Sequence, residues 1–172
     1  MKEYGIESGD KVEKVHVALL FNKSKTSTPD WVQLAKATEN TITMNAETES
    51  YDFITDKNPT TLIKKFSPQL TESLTLFKGE EDYNYFFDLF YNMPTGADAQ
   101  GEILVVFMNE YTETGSGETK VKNYKAWKSA CTYVLDNLDP VNSQLNFSVQ
   151  FNGTVAKGSV TIEDGEPTFV EA

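Results

Sequence analysis

Between residues 38 and 76 the chain alternates like a pair of strands and then stops alternating in the middle. Going in, Ile42, Met44 and Ala46 interleave with Thr41, Thr43 and Asn45; coming back, Leu70, Leu74 and Leu76 interleave with Thr71, Ser73 and Thr75. A strand with one apolar and one small-polar side covers a core with the first and shows the second to water. The connection 51–69 carries Tyr51, Phe53, Ile54 and Phe66 together with Lys57, Lys64, Lys65 and two prolines. Ordinary hairpin loops have about two to five residues, and this aromatic and aliphatic content argues against disorder. The expectation is a long loop or hairpin arm over 47–69 whose apolar side chains meet a partner elsewhere, such as another subunit.

The remaining patterns are those of a mainly β protein. An N-terminal arm, 1–14, shows no strong periodicity, and the run from Val15 to Phe21 is nearly continuous and apolar, as in a buried strand. Trp31, Val32, Leu34 and Ala35 give a short strand; Ile103 to Met108 give a central one buried on both sides. Over 80–93 the period changes to that of a helix. Tyr83, Phe86, Phe87, Phe90 and Tyr91 draw one wide aromatic stripe, Glu80, Glu81 and Asp82 suit the first turn, and Pro94 and Gly96 end the element. Such a stripe reads as packing against a sheet. The stretch 124–137 fits a helix or a strand equally well. Leu145, Phe147, Val149 and Phe151, then Gly153, then Val160 and Ile162 read as a hairpin. The sum is seven or eight strands and one helix: two packed antiparallel sheets, sandwich or barrel-like, in one domain over 1–172.

Composition removes several function classes. Fifteen basic residues, all lysine, stand against 26 acidic ones, for a net charge of -11. Without arginine there is no planar fork for a phosphate or a guanine edge, so sequence-specific nucleic-acid binding is not expected. One cysteine, Cys131, excludes an intrachain disulfide, and with His16 as the sole histidine the usual zinc ligand sets are out of reach. No apolar run approaches the roughly 20 residues of a membrane span, so no membrane anchor is expected, and the polar first ten residues are unlike a signal peptide, pointing to synthesis in the cytoplasm.

Catalysis needs a nucleophile beside a base, tuned carboxylates or a metal. Cys131 and His16 both lie in apolar runs and read as packing residues. Residues 111–119 read as a Gly/Ser/Thr/Glu loop, and Gly115-Ser116-Gly117 within it, followed by no helix start, is not a phosphate cradle. No enzyme activity and no cofactor are expected.

The order of parts resembles the major tail tube proteins of long-tailed, siphovirus-type bacteriophages. The resemblance rests on the run from Trp31 to Ala37, the alternation from Thr41 to Asn45, the segment from Glu47 to Ile54, then an arm, an aromatic helix and a Gly-centred closing hairpin from Phe151 to Ile162. It runs from about Val15 to Val170. It implies hexameric rings stacked into a hollow virion tail tube through which DNA passes transiently and without specific binding. The implied partners are further copies and the other tail proteins: tape measure, tail terminator and distal tail. It also implies the strand for 124–137. On that footing Thr41, Thr43, Asn45, Thr71, Ser73 and Thr75 are candidates for the lumen wall, and Tyr51, Phe53, Ile54, Lys57, Lys64, Lys65 and Phe66 for an inter-ring arm. Two other readings stand beside it: a discrete carbohydrate- or receptor-binding sandwich, and a ring protein of a contractile secretion system.

Overall fold

The computed structural model describes residues 1–172 except 4 and 117–119, so the end of the 111–119 loop, Gly117 included, falls outside the described residues. In chain order the elements are β1 (Val17–Asn22), β2 (Trp31–Gln33), β3 (Ala37–Thr43), β4 (Ala46–Tyr51), β5 (Thr60–Phe66), β6 (Gln69–Thr75), α1 (Glu81–Asn92), β7 (Gln100–Thr114), β8 (Val121–Asp139), β9 (Gln144–Glu163) and β10 (Glu166–Glu171). The protein is mainly β, with one α-helix and two antiparallel sheets. The large sheet has eight strands in the order β2-β1-β7-β8-β9-β6-β3, with β10 also on β9; the small one is the hairpin β4–β5.

The topology forces the large sheet to roll. Seven strands laid flat would put the outermost two about 29 Å apart at the usual strand spacing. Those two, β2 and β3, are joined by residues 34–36 alone, a link that reaches about 14 Å at most. The roll encloses the main core: Leu19 and Phe21 from β1, Ile103 and Val105 from β7, Cys131 and Tyr133 from β8, Leu145, Phe147 and Val149 from β9, Leu70 and Leu74 from β6, and Phe86 from the helix. A second core lies on the opposite face of β1, β7 and β8, around Leu20, Leu104, Val106, Met108 and Tyr124, with Met1, Trp31 and Phe169 packed over it. Strand β7 is therefore central and apolar on both sides, as its sequence indicates.

Two expectations are corrected here, the turn at Gly153 and the loop over 111–114, and the alternative left open for 124–137 is decided for the strand that the resemblance implies. The stretch 124–137 is strand throughout, within β8. No hairpin turns at Gly153: β9 is one strand of 20 residues. Gly153 instead takes a φ of 67° where the β8–β9 register slips between Lys128 and Ala130. A left-handed residue inside a strand bends it, so the first part of β9 pairs with β6 and the last part with β10. At Gly158 a side chain would run into the Val170 carbonyl and the Phe169 ring of β10, so glycine is required for that close approach. The beginning of the N-terminal arm is seated on the body: the Met1 amine donates to Gly165 O at 2.6 Å, and Tyr124 Oη donates to Glu3 Oε2 at 2.7 Å. Finally, residues 111–114, read as loop, continue β7.

Helix α1 closes the seam of the roll. Its buried side is Asp82 and Phe86, with Tyr85, Leu89 and Phe90 partly buried against the main core. The expected stripe is thus turned: Tyr83, Phe87 and Tyr91 stack in a row along the helix flank, with ring centroids 5.4 and 6.5 Å apart, and Tyr91 is exposed. The acidic first turn is more than a solvated helix start. Asp82 Oδ2 accepts the backbone N–H groups of Ala35 and Lys36, each at 3.0 Å, and its Oδ1 accepts that of Tyr83 at 2.8 Å. Leu34 N still donates to Leu19 O of β1 at 2.9 Å, but the donors of Ala35 and Lys36 have no strand partner and need this carboxylate. Asp82→Ala is expected to lower stability by about 3 kcal/mol, since a hydrogen bond to a charged group is worth roughly 1.5–3 kcal/mol. Urea unfolding measures it; a loss below about 1 kcal/mol would show that water replaces the carboxylate without penalty.

Candidate assembly surfaces

The 47–69 arm is a folded ribbon. Strands β4 and β5 pair from Ala46↔Phe66 to Tyr51↔Thr60, with a bulge between Glu47 and Thr48. Its root is a kink: Asn45 has a φ of 45°, its Nδ2 donates to Ser67 O at 3.2 Å, and Ser67 N donates to Met44 O at 3.1 Å. Asparagine is among the few residues that tolerate this region. Beyond the kink, every residue from 43 to 67 is exposed except the half-buried Glu49.

The ribbon has two unlike faces. Glu47 pairs with Lys65 at 3.1 Å and Glu49 with Lys64 at 2.8 Å; Tyr51 Oη donates to Glu49 Oε2 at 2.6 Å. Lys64 first, then Tyr51, holds the Glu49 carboxyl below the usual carboxylate range. The other face has Thr48 opposite Ile63 and Ser50 opposite Thr61, without charge. Phe53, Leu62, Ile63 and Phe66 each expose more than half their surface, Ile54 exposes all of it, and Tyr51 stacks on Phe53 at 5.7 Å. An isolated two-stranded ribbon is marginal in water, and an ion-paired face adds little.

The expected lumen residues fall on one sheet face only in part. Thr41, Thr43 and Thr71 are exposed on β3 and β6, and Thr75 is half-buried. Asn45 lies in the kink and not on a strand, so it is not part of that face. Ser73 is buried at 7% exposure, with Thr38 Oγ1 donating to its carbonyl at 3.2 Å. Strand register extends the face across four strands. Thr43, Gln69, Gln150 and Thr132 form one row; Thr41, Thr71, Ser148 and Val134 the next; Glu39, Ser73, Asn146 and Asn137 a third. These rows contain one carboxylate and no lysine. The alternation of Asn146, Ser148 and Gln150 in the sequence already carried this signal; only pairing shows that it joins Thr41 and Thr71.

The groups with chemical potential are placed for packing. Cys131 is fully buried, and burial pushes its thiol up to about 11, so it is no thiolate at neutral pH. His16 Nδ1 accepts the Glu13 N–H at 2.9 Å. Trp31 packs on the second core and Trp127 on the main one, edge to face with Phe107 at 5.0 Å, so neither forms an open platform for a sugar. Among the described residues no three His, Cys, Asp or Glu side chains are grouped to hold a metal, and no helix is long and apolar enough to cross a membrane.

One side chain resists this description. Glu72 of β6 is 1% exposed, and neither carboxyl oxygen has a hydrogen-bond partner among the described residues. Burial, and then the charge of Glu39, push it up to about 9.

No protein-family model matches the chain, and no curated protein matches it. Among solved structures it is similar to the tube-terminating cap of the anti-feeding prophage, at 12% identity over 91% of this chain and 96% of that one, with a TM-score of 0.50. It is also aligned with the sheath-tube complex of an extracellular contractile injection system in its extended state, at 10% identity over 89% and 95% of the two chains, TM-score 0.48. A third alignment is with the anti-feeding prophage baseplate, at 12% identity over 82% and 89%, TM-score 0.39. At these identities the likeness to the cap is one of fold.

Proposed function

We propose that this chain is a structural subunit of a phage-like tail, whose copies join side by side into hexameric rings that stack into a hollow tube. The observation that carries the reading is the arm: a folded ribbon displaying Tyr51, Phe53, Ile54, Leu62, Ile63 and Phe66 away from its own body. Apolar surface of this kind on a secreted or virion particle is stable when a neighbour covers it. The outer edges of β3 and β10 are the natural seams between copies, since joining them removes the open edges that invite uncontrolled pairing. The whole-chain likeness in fold to a tube-terminating cap supports the same class of role.

The face running from Thr43 to Val134 then lines the conduit. Short Thr, Ser, Asn and Gln side chains, with no lysine among the paired rows, repel or ignore phosphate instead of gripping it. DNA passes and is not held. The long-tailed phage and the contractile particle are two settings for this one device. The cap likeness favours the second, in which a chain of this fold ends a tube.

Electron microscopy of the purified protein at rising concentration tests the reading. Six-fold rings and tubes are expected, with single closed rings at tube ends if the chain is a cap. Protein that stays monomeric and binds glycans with defined stoichiometry would replace this reading with that of a carbohydrate-binding module.

A further inference from the structure

Strands β3 and β6 are the base of the same hairpin whose outer half is the arm, and Glu72 sits in that base. Leu70, Glu72 and Leu74 share one face of β6, and opposite Glu72 stand Phe147 of β9 and Asn40 of β3. Phe147 is stacked on Phe86 of the helix at 4.3 Å, so the carboxyl is set into the aromatic end of the main core. Both of its oxygens are buried and unpartnered. A polar group so placed is costly, and an ionised one far more so.

We propose that Glu72 is a proton-dependent latch at the root of the arm: neutral, it lets β3 and β6 close onto the body, and ionised, it opens that pair and frees the arm. Among the described residues no cation bonds the carboxyl: Lys2 and Lys14 line the cleft that Glu39 and Asn40 border, and neither reaches the Glu72 oxygens. From β3 the nearest charge is Glu39, another acid. The core face of β9 presents Leu145, Phe147 and Val149. From α1, Asp82 is occupied by three backbone donors and Tyr85 Oη donates to Tyr133 Oη of β8 at 3.0 Å; β8 adds only the Cys131 thiol. The ammonium of Lys36, at the seam, lies over the Phe77 ring at 5.7 Å.

Relief is local because β3 is the last strand of the sheet and residues 38–41 of it are exposed. Peeling it from β6 hydrates the carboxyl while β7, β8 and β9 stay paired. The closed form keeps a proton that the open form releases, so closure weakens as pH rises, from the ordinary carboxylate value to about 9, and is level above that. This is the reverse of an ion-paired carboxylate. The latch stands whatever the arm contacts; its consequence, that mild acid seats the arm and favours stacking, rests on the tube reading.

Hydrogen exchange of the unassembled protein at pH 6, 7 and 8, corrected for intrinsic exchange, separates the two. The opening constant of β3 and β6 amides is expected to rise about tenfold per pH unit, with β7 and β8 amides not following. Glu72→Gln, which keeps shape and removes the charge, is expected to abolish that slope. A flat wild-type profile, or the same slope in the variant, overturns the latch. Should the variant not fold, the carboxyl carbon shift of Glu72 in the wild-type protein decides: a midpoint in the ordinary carboxylate range overturns it, and one displaced well upward supports it.

Discussion

Phe86→Ala is expected to lower the stability of the isolated subunit by about 3–5 kcal/mol, while Phe87→Ala, one residue further along the same aromatic stripe, is expected to cost less than about 1 kcal/mol. Phe86 is fully buried. Its ring meets Phe21 edge to face at 5.1 Å, stacks on Phe147 at 4.3 Å and meets Tyr133 edge to face at 6.1 Å. Those three neighbours come from β1, β9 and β8, each fixed by a ladder on both sides, so the cavity left by truncation has little room to collapse. Phe87 lies half-exposed between Tyr83 and Tyr91, and its removal exposes their faces to water instead of opening a void. Urea midpoints with unchanged slopes give the two numbers, and for Phe86→Ala Tm should fall by roughly 10 °C or more. Equal losses for the two variants would mean that the helix is rotated toward its Tyr83 side.

That rotation shows where sequence periodicity stops being informative. The five aromatics centre the stripe between Phe86 and Phe87, and hydrophobicity alone would bury both. What turns the helix is a need that no hydropathy pattern records: two backbone donors at residues 35 and 36 have no strand partner, and Asp82 supplies the acceptor. The central strand and the arm were legible because each depends on a local pattern, an unbroken apolar run in one case and an interrupted alternation in the other. Gly153 misled for the opposite reason. A glycine between two alternating runs signals a turn or a bulge with equal force, and only the pairing of β9 with β6 on one half and β10 on the other decides for the bulge.

Glu72 was visible and easily passed over. It occupies the position between Leu70 and Leu74 that period two assigns to the core, and its neighbours Thr71, Ser73 and Thr75 draw attention to the other face. The lumen candidates show the same limit from the other side. Thr41 and Thr71 belong together because they are register partners, whereas Asn45, in step with Thr41 and Thr43 by count, is removed from the face by one left-handed residue, itself. Alternation assigns a side only as long as the strand continues.

Replacing residues 48–64 with an Asn-Gly turn is expected to leave the melting transition of the subunit within about 1 kcal/mol of the parent and to abolish stacking into tubes. The first half follows from burial: the excised ribbon pairs with itself, its residues are exposed apart from Glu49, and Glu47 and Lys65 remain to flank a two-residue turn of the kind hairpins favour. The second half follows from the apolar surface that goes with it. Burying a side chain such as Phe53, Ile54, Leu62 or Ile63 on a neighbour is worth about 1.5–3 kcal/mol each, so an arm that engages through three of them would contribute several kcal/mol per subunit to the proposed stacking. Sedimentation and negative-stain microscopy should then find rings, where rings form, but no tubes. Paired point variants locate the contact: Phe53→Ser with Ile54→Ser removes the tip, and Ile63→Ser with Phe66→Ser removes the uncharged flank. Tubes of normal length and repeat from the excised protein would leave the arm without a part in assembly, and the joining of rings would have to be sought at the helix flank where Tyr91 is exposed and Tyr83 and Phe87 are half-buried.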